Sequence, residues 1–246
     1  MRFAKPPLIE IYAEVHLSDP KPTQSELLPL VGALTSGGLG ALELTNAFEL
    51  ASMSWGPSTP TELPATLVPR FRCWSVDKKK LVQVSPGTLV INQVGDYLGW
   101  TQFSDLFSAA IGHFGTHLPS AGISSLALAT IDRIVVPQAG FRVGRYLNCA
   151  GEMIPAWFSD VACACDLTLG RGFLPADGLN RQLRLSVRQE AETFALRLDS
   201  VFHDRLQDRN ALESRLEALN SESTRTFLSL LTKEARDVFG EIHGTQ

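Results

Sequence analysis

The chain has 246 residues, 44% hydrophobic and 20% charged, a composition that buries a core without disulfide or metal staples. Its formal net charge of −4 supplies no global positive field for a phosphate backbone, so nucleic-acid binding would need a local basic patch. No run of about 18 apolar residues occurs, so no membrane span is expected. Residues 1–7 lack the apolar stretch and cleavage pattern of a secretory signal. The four cysteines, Cys73, Cys149, Cys163 and Cys165, do not form a disulfide framework, so the expectation is a cytoplasmic protein with free, mostly buried thiols.

Residues 8–17 set Ile9, Ile11, Ala13, Val15 and Leu17 against Glu10, Tyr12, Glu14 and His16. That period of two predicts a half-buried strand. Ser25 is the expected cap of a short helix running to Leu34, with Pro29 near its first turn, and Gly37-Gly38-Leu39-Gly40 ends it. Residues 41–51 read as a second short helix. The four prolines between 54 and 69 predict a surface connection. Strands at 70–76, 80–85 and 88–94 form a meander, because the turns at 76–79 and 85–87 are short enough to force antiparallel neighbours. The longest basic run, Lys78-Lys79-Lys80, belongs to the first of those turns.

Over 100–118, Phe103, Phe107, Ala110, Ile111 and Phe114 share one face at helical spacing. Residues 125–136 form the next strand, closed by Pro137. Strands follow at 156–169, 181–189 and 194–203; the middle one sets Leu183, Leu185 and Val187 against Arg184 and Ser186. Gly170-Arg171-Gly172 and Pro175-Ala176-Asp177-Gly178 supply turns. Asp208 or Asn210 caps a last helix, 211 to about 239, ended by Gly240. Leu212, Leu216, Leu219, Phe227, Leu230, Leu231 and Val238 run along one of its faces, with a break near Ser221-Glu222-Ser223. This order is α+β, antiparallel sheets with helices packed on them. It reads either as one continuous domain or as two halves, 1–137 and 138–246, each a ferredoxin-like strand–helix–meander–helix unit.

Chemistry-bearing patterns are sparse. His113 and His117 stand four apart on a helix, the spacing of two metal ligands, without a third ligand. Cys163 and Cys165 would share one face of a strand, where two small core residues are the simpler reading. Gly37-Gly38-Leu39-Gly40 lacks the lysine of a phosphate loop. Gly170-Arg171-Gly172 offers an arginine to a phosphate or carboxylate, and reads as a hairpin turn. Asp132-Arg133 puts charge into an apolar strand, so one of the pair faces inward, and an internal arginine–carboxylate brace is the expected outcome. No GxSxG nucleophile motif, metal site or cofactor site is expected.

The order of short motifs resembles an uncharacterised, sporadically distributed bacterial family of about this length. The matching pieces are Pro6-Pro7-Leu8-Ile9-Glu10, Arg70-Phe71-Arg72-Cys73-Trp74, Leu81-Val82-Gln83-Val84, Leu89-Val90-Ile91-Asn92, Tyr97-Leu98-Gly99-Trp100, Ile131-Asp132-Arg133-Ile134 and the helix from Leu219 to Gly240. Members of that family more often carry Tyr-Ile-Asn-Arg-Ile where this chain has Thr130-Ile131-Asp132-Arg133-Ile134, so a role that needs a neutral amide at 132 is not carried over. The resemblance implies no activity and no catalytic residues. It implies an association with mobile-element, toxin–antitoxin or phage-defence genes.

The leading expectation is a non-enzymatic binding protein that acts through contact with a protein partner or by self-association, as a component of a defence or toxin–antitoxin locus. Its long C-terminal helix would dock through a stripe wider than one sheet covers. Arg72, Trp74, Asn92, Tyr97, Trp100, Asp132 and Arg133 are the expected binding residues. The alternative is an RNA-binding or RNA-processing protein using Arg70, Arg72, Trp74, Lys78 to Lys80, Arg142 and Arg145. A third reading is a small enzyme with a site near Asn92, Tyr97 and Asp132.

Overall fold

The alternation that predicts strand 8–17 survives in three dimensions: Ala13, Val15 and Leu17 are buried, and Tyr12, Glu14 and His16 are half-exposed. The computed structural model describes residues 2–3, 7–50, 65–95, 97–149, 156–171, 180–206 and 208–242. In chain order the elements are β1 (Arg2–Phe3), β2 (Leu8–Leu17), α1 (Gln24–Ser36), β3 (Ala41–Leu50), β4 (Ala65–Trp74), β5 (Lys80–Val84), β6 (Thr88–Val94), α2 (Trp100–His117) and β7 (Ile123–Pro137). Then come α3 (Val143–Tyr146), a 3-10 turn (Ala156–Asp160), β8 (Cys165–Arg171), β9 (Asn180–Glu190) and β10 (Thr193–Arg205). A second 3-10 turn (Arg209–Ala211), α4 (Leu212–Leu230), α5 (Lys233–Phe239) and β11 (Glu241–Ile242) complete the order. The fold is α+β, antiparallel sheet with helices packed on it. Among the described residues no helix is long and apolar enough to cross a membrane.

The chain divides into two compact units built from discontinuous segments. The first is Tyr12–Ala127 with Asp204–Arg215; the second is Met1–Ile11, Leu128–His203 and Leu216–Gln246. In the first unit the strands run in the order β3-β4-β5-β6-β2-β7. Antiparallel pairing puts Phe71 opposite Val84, Cys73 opposite Val82, Val82 opposite Ile91 and Val84 opposite Leu89, so all six lie on one face. All six are buried, whereas Arg72, Trp74 and Gln83 on the alternate positions are half-exposed. Helices α1 and α2 cover the apolar face, contributing Leu27, Leu30, Val31 and Leu34, and Phe103, Phe107, Ala110 and Phe114.

In the second unit the order is β2-β7-β10-β9-β8. Its core joins Ile134 and Val136 of β7, Leu183, Leu185 and Val187 of β9, and Phe194, Leu196 and Leu198 of β10 to Val143, Tyr146, Phe158, Leu230, Ala235 and Phe239 from α3, the first 3-10 turn, α4 and α5. Phe141 stacks on Phe194 with ring centroids 4.2 Å apart. In chain order the longer elements run β2-α1-β3-β4-β5-β6-α2 and then β7-α3-β8-β9-β10-α4-α5.

Several local expectations are corrected. Residues 41–50 form strand β3, not a helix, because ten consecutive positions from Ala41↔Trp74 to Leu50↔Ala65 pair with β4. The proline-rich connection reaches only part of its expected span: 65–69 belong to β4, and 54–64 lie outside the described residues. Thr23, not Ser25, caps α1. Its hydroxyl accepts from the Glu26 amide at 3.4 Å while the Glu26 carboxylate accepts from the Thr23 amide at 2.7 Å, the reciprocal pair that satisfies two orphan donors. Residues 156–160 are a 3-10 turn, and the strand begins only at Cys165. Gly172 and the turn at 175–178 lie outside the described residues.

The C-terminal helix is continuous through Ser221-Glu222-Ser223 and breaks at Leu231-Thr232. Thr232 ends one helix and starts the next. Its hydroxyl accepts from the Ala235 amide at 3.2 Å and donates to the Arg145 carbonyl at 2.7 Å, while Leu231 makes a β-bridge to Leu147. The stripe expected to be left over for docking is used: Leu212, Leu216, Leu219, Leu230 and Leu231 are buried, Phe227 is partly buried, and only Val238 is exposed.

The fully buried Phe107 anchors α2, so Phe107→Ala is expected to cost about 3–5 kcal/mol in urea unfolding. Val76→Ser, at a site 90% exposed, should stay within about 0.5 kcal/mol. Comparable losses for the two would contradict the assigned core.

Candidate functional site

The expected binding residues fall in both units. Arg72, Trp74, Asn92, Tyr97 and Trp100 belong to the first; Asp132 and Arg133 belong to the second. Asn92 is buried and accepts a hydrogen bond from Gln83 Nε2 at 3.1 Å, a cross-strand contact that explains its amide without a ligand. Trp100 opens α2 and packs its ring 5.6 Å from Phe103. Tyr97 lies in the segment just before it, half-buried.

Trp74 is held by a small charged cluster. Its indole Nε1 donates to Glu43 Oε2 at 3.0 Å, and the Arg72 guanidinium and Lys78 ammonium each sit 5.1 Å from its ring centroid. Glu43 also accepts from Lys78 at 3.3 Å and faces Arg72 at 3.7 Å. The hydrogen bond from Trp74, followed by that from Lys78, holds the Glu43 carboxyl below its ordinary range. The indole's donor and its π-system are thus engaged by the protein's own groups.

Asp132 and Arg133 separate as adjacent strand residues must. Asp132 faces the covered side and is 4% exposed; on the same strand Thr130 lies 3.5 Å, hydroxyl to hydroxyl, from Ser223 of α4. Burial pushes the Asp132 carboxyl up to about 7, and the charge of Asp199 adds to the rise. The expected internal brace is not formed: Arg133 points to the open side and pairs with Glu190 at the end of β9.

That open side carries residues the sequence reading passed over. Arg184, Ser186, Arg188 and Glu190 occupy alternate positions of β9, and the β9–β10 register sets Arg184 opposite Asp199, Ser186 opposite Arg197 and Arg188 opposite Ala195. With Ile9 and Arg133 they line a groove of about 390 Å³. Arg197 Nε donates to Asp199 Oδ1 at 2.6 Å. Four guanidiniums and two carboxylates therefore converge on one sheet face, opposite the apolar face built by Leu183, Leu185, Val187, Leu196 and Leu198. The detectable signal was the shared parity of Arg184, Arg188 and Glu190 on one strand and of Arg197 and Asp199 on the next; which parities meet is set by the register.

The remaining patterns do not assemble a reactive centre. His113 and His117 stack with ring centroids 6.5 Å apart, and among the described residues no group of three or more metal-ligating side chains occurs. Cys163 is exposed ahead of β8 and Cys165 is half-buried, so the pair is not the two core residues expected; all four thiols are free. A second cavity of about 300 Å³ is lined in part by Asn148, Cys149, Ser159 and Thr232. Burial raises the Cys149 thiol, which disfavours the nucleophilic thiolate there. Neither cavity is lined by Asn92, Tyr97 or Asp132. No protein-family model matches the chain, and no curated protein matches it in sequence.

The buried Asp132 generates a pH prediction. Its folded-state pKa, about 7, lies above the unfolded value of 3.8, so the native state holds the extra proton. That contribution is complete below about pH 4 and lost as pH rises through 7. Asp132→Asn should flatten this decline and exceed the parent's stability at pH 8 by as much as about 4 kcal/mol, read from urea unfolding across pH. Parallel pH profiles for the two proteins would contradict the assignment.

Proposed function

We propose that the protein is a non-enzymatic binding protein that works by contact with another protein. The observation that carries this reading is the open sheet face of the second unit. There, four arginines and two carboxylates line a solvent-facing groove instead of a covered core. Arg133, Arg197 and Glu190 retain 42%, 47% and 43% side-chain exposure, so the charged heads are accessible to a partner. Planar guanidiniums suit such a role, because they bind carboxylates through two parallel hydrogen bonds and keep their charge at all accessible pH.

The RNA-binding alternative draws less support. Single strands are held on sheets by exposed aromatics that stack on bases, and among the described residues no aromatic side chain lines this groove. Trp74, the aromatic of the basic patch in the first unit, is already flanked by Arg72 and Lys78 and donates to Glu43. The resemblance to a sporadically distributed bacterial family makes a defence or toxin–antitoxin locus the setting in which we look for the partner.

Affinity purification of the tagged chain from its host tests the reading. A stoichiometric protein partner that survives nuclease treatment and dissociates at high salt is expected. Co-purifying nucleic acid, lost with nuclease and unaccompanied by protein, would contradict it.

A further inference from the structure

We propose that the groove on the open face of the second unit is a docking site for an extended acidic peptide segment of the partner protein. This inference rests on the protein-contact reading and names the partner's chemistry.

The charge balance selects an acidic occupant. Arg133, Arg184, Arg188 and Arg197 line the groove together with Glu190 and Asp199, a lining with more cations than anions in a chain whose net charge is −4. Arg133 and Arg197 are already held by Glu190 and Asp199, so both guanidiniums are presented in fixed positions. Arg184 is exposed and has no ion-pair partner among the described residues. It is the open anchor. Asp199, which faces it across the ladder, is engaged by Arg197.

Spacing selects an extended peptide. Arg184 and Arg188 lie on the same face of β9, four residues apart, or about 13 Å along the strand. An extended peptide repeats at the same rise, so carboxylates at alternate positions fall into step with this row. The groove's 390 Å³ is at the small end of ligand-sized sites, which suits a short segment. A nucleic-acid strand would bring bases as well as charge, and among the described residues no aromatic side chain lines the groove to stack on them.

The test uses the full chain and a fluorescein-labelled decapeptide of alternating Glu and Ser, followed by fluorescence anisotropy. Saturable binding is expected that weakens at least about tenfold when salt rises from 50 to 300 mM, with no binding of the matching Lys–Ser peptide. Arg184→Glu/Arg188→Glu should weaken binding at least about tenfold while the chain keeps its cooperative thermal unfolding, since both side chains are exposed. Glu–Ser binding that is absent, or that the charge reversal leaves intact, overturns the proposal. So does tighter, reversal-sensitive binding of a ten-nucleotide oligouridylate. The same double variant, used as bait in the host, separates the two readings. A protein partner retained by it refutes the groove and leaves the protein-contact reading standing, whereas failure of the parent chain to capture any protein refutes that reading itself.

Discussion

Strand pleating is the constraint on which the rest of this molecule depends. Successive side chains leave a strand on opposite faces, so apolar residues at every second position commit one face of a unit's sheet to helices. The alternate positions are released for polar work. In the second unit this single rule places Leu183, Leu185 and Val187 against α3, α4 and α5 and, on the same strand, Arg184, Ser186 and Arg188 in the groove. In the first unit it buries Cys73 and leaves Arg72 and Trp74 to be organised by Glu43.

The same rule carries a cost at Asp132. Burying a carboxylate without its water is unfavourable, so the group is driven toward its neutral form. Its neighbour Arg133 cannot relieve it, because the pleat sends the guanidinium to the other face, where Glu190 receives it. A chain that tolerates this burial places a neutral carboxylic acid in the layer between β7 and α4 and a fixed cation on the open face. The open-face cation lines the groove; the buried acid makes stability fall as pH rises toward neutrality.

Where periodicity was strong, the fold was legible from the residues. Strands 8–17, 80–84, 88–94 and 180–190 and helix 100–117 match their expected spans within one or two residues. Elsewhere tertiary context decided. Leu42 and Leu44 of β3 read as helical because nothing local reveals that β4 will pair with them, and both remain exposed at 53% and 61%. The break at Thr232 depends on the Arg145 carbonyl, 87 positions away. The groove was hidden for a related reason. Arg184 and Arg188 alone are the ordinary polar half of an alternating strand, and only the register with Arg197 and Asp199 and the adjacency of Arg133 turn them into a cluster. Of the seven expected binding residues, Arg133 alone lines it.

The most direct test of this account is mass-spectrometric mapping of phenylglyoxal labelling at each arginine, in the free chain and in its complex purified from the host. Arg184, Arg188 and Arg197 are expected to react in the free protein and to be protected in the complex, while exposed Arg215 and Arg225 on α4 label equally in both. Unchanged labelling of the groove arginines, with protection moved to α4, would contradict the claim that the open face of the second unit is the binding surface.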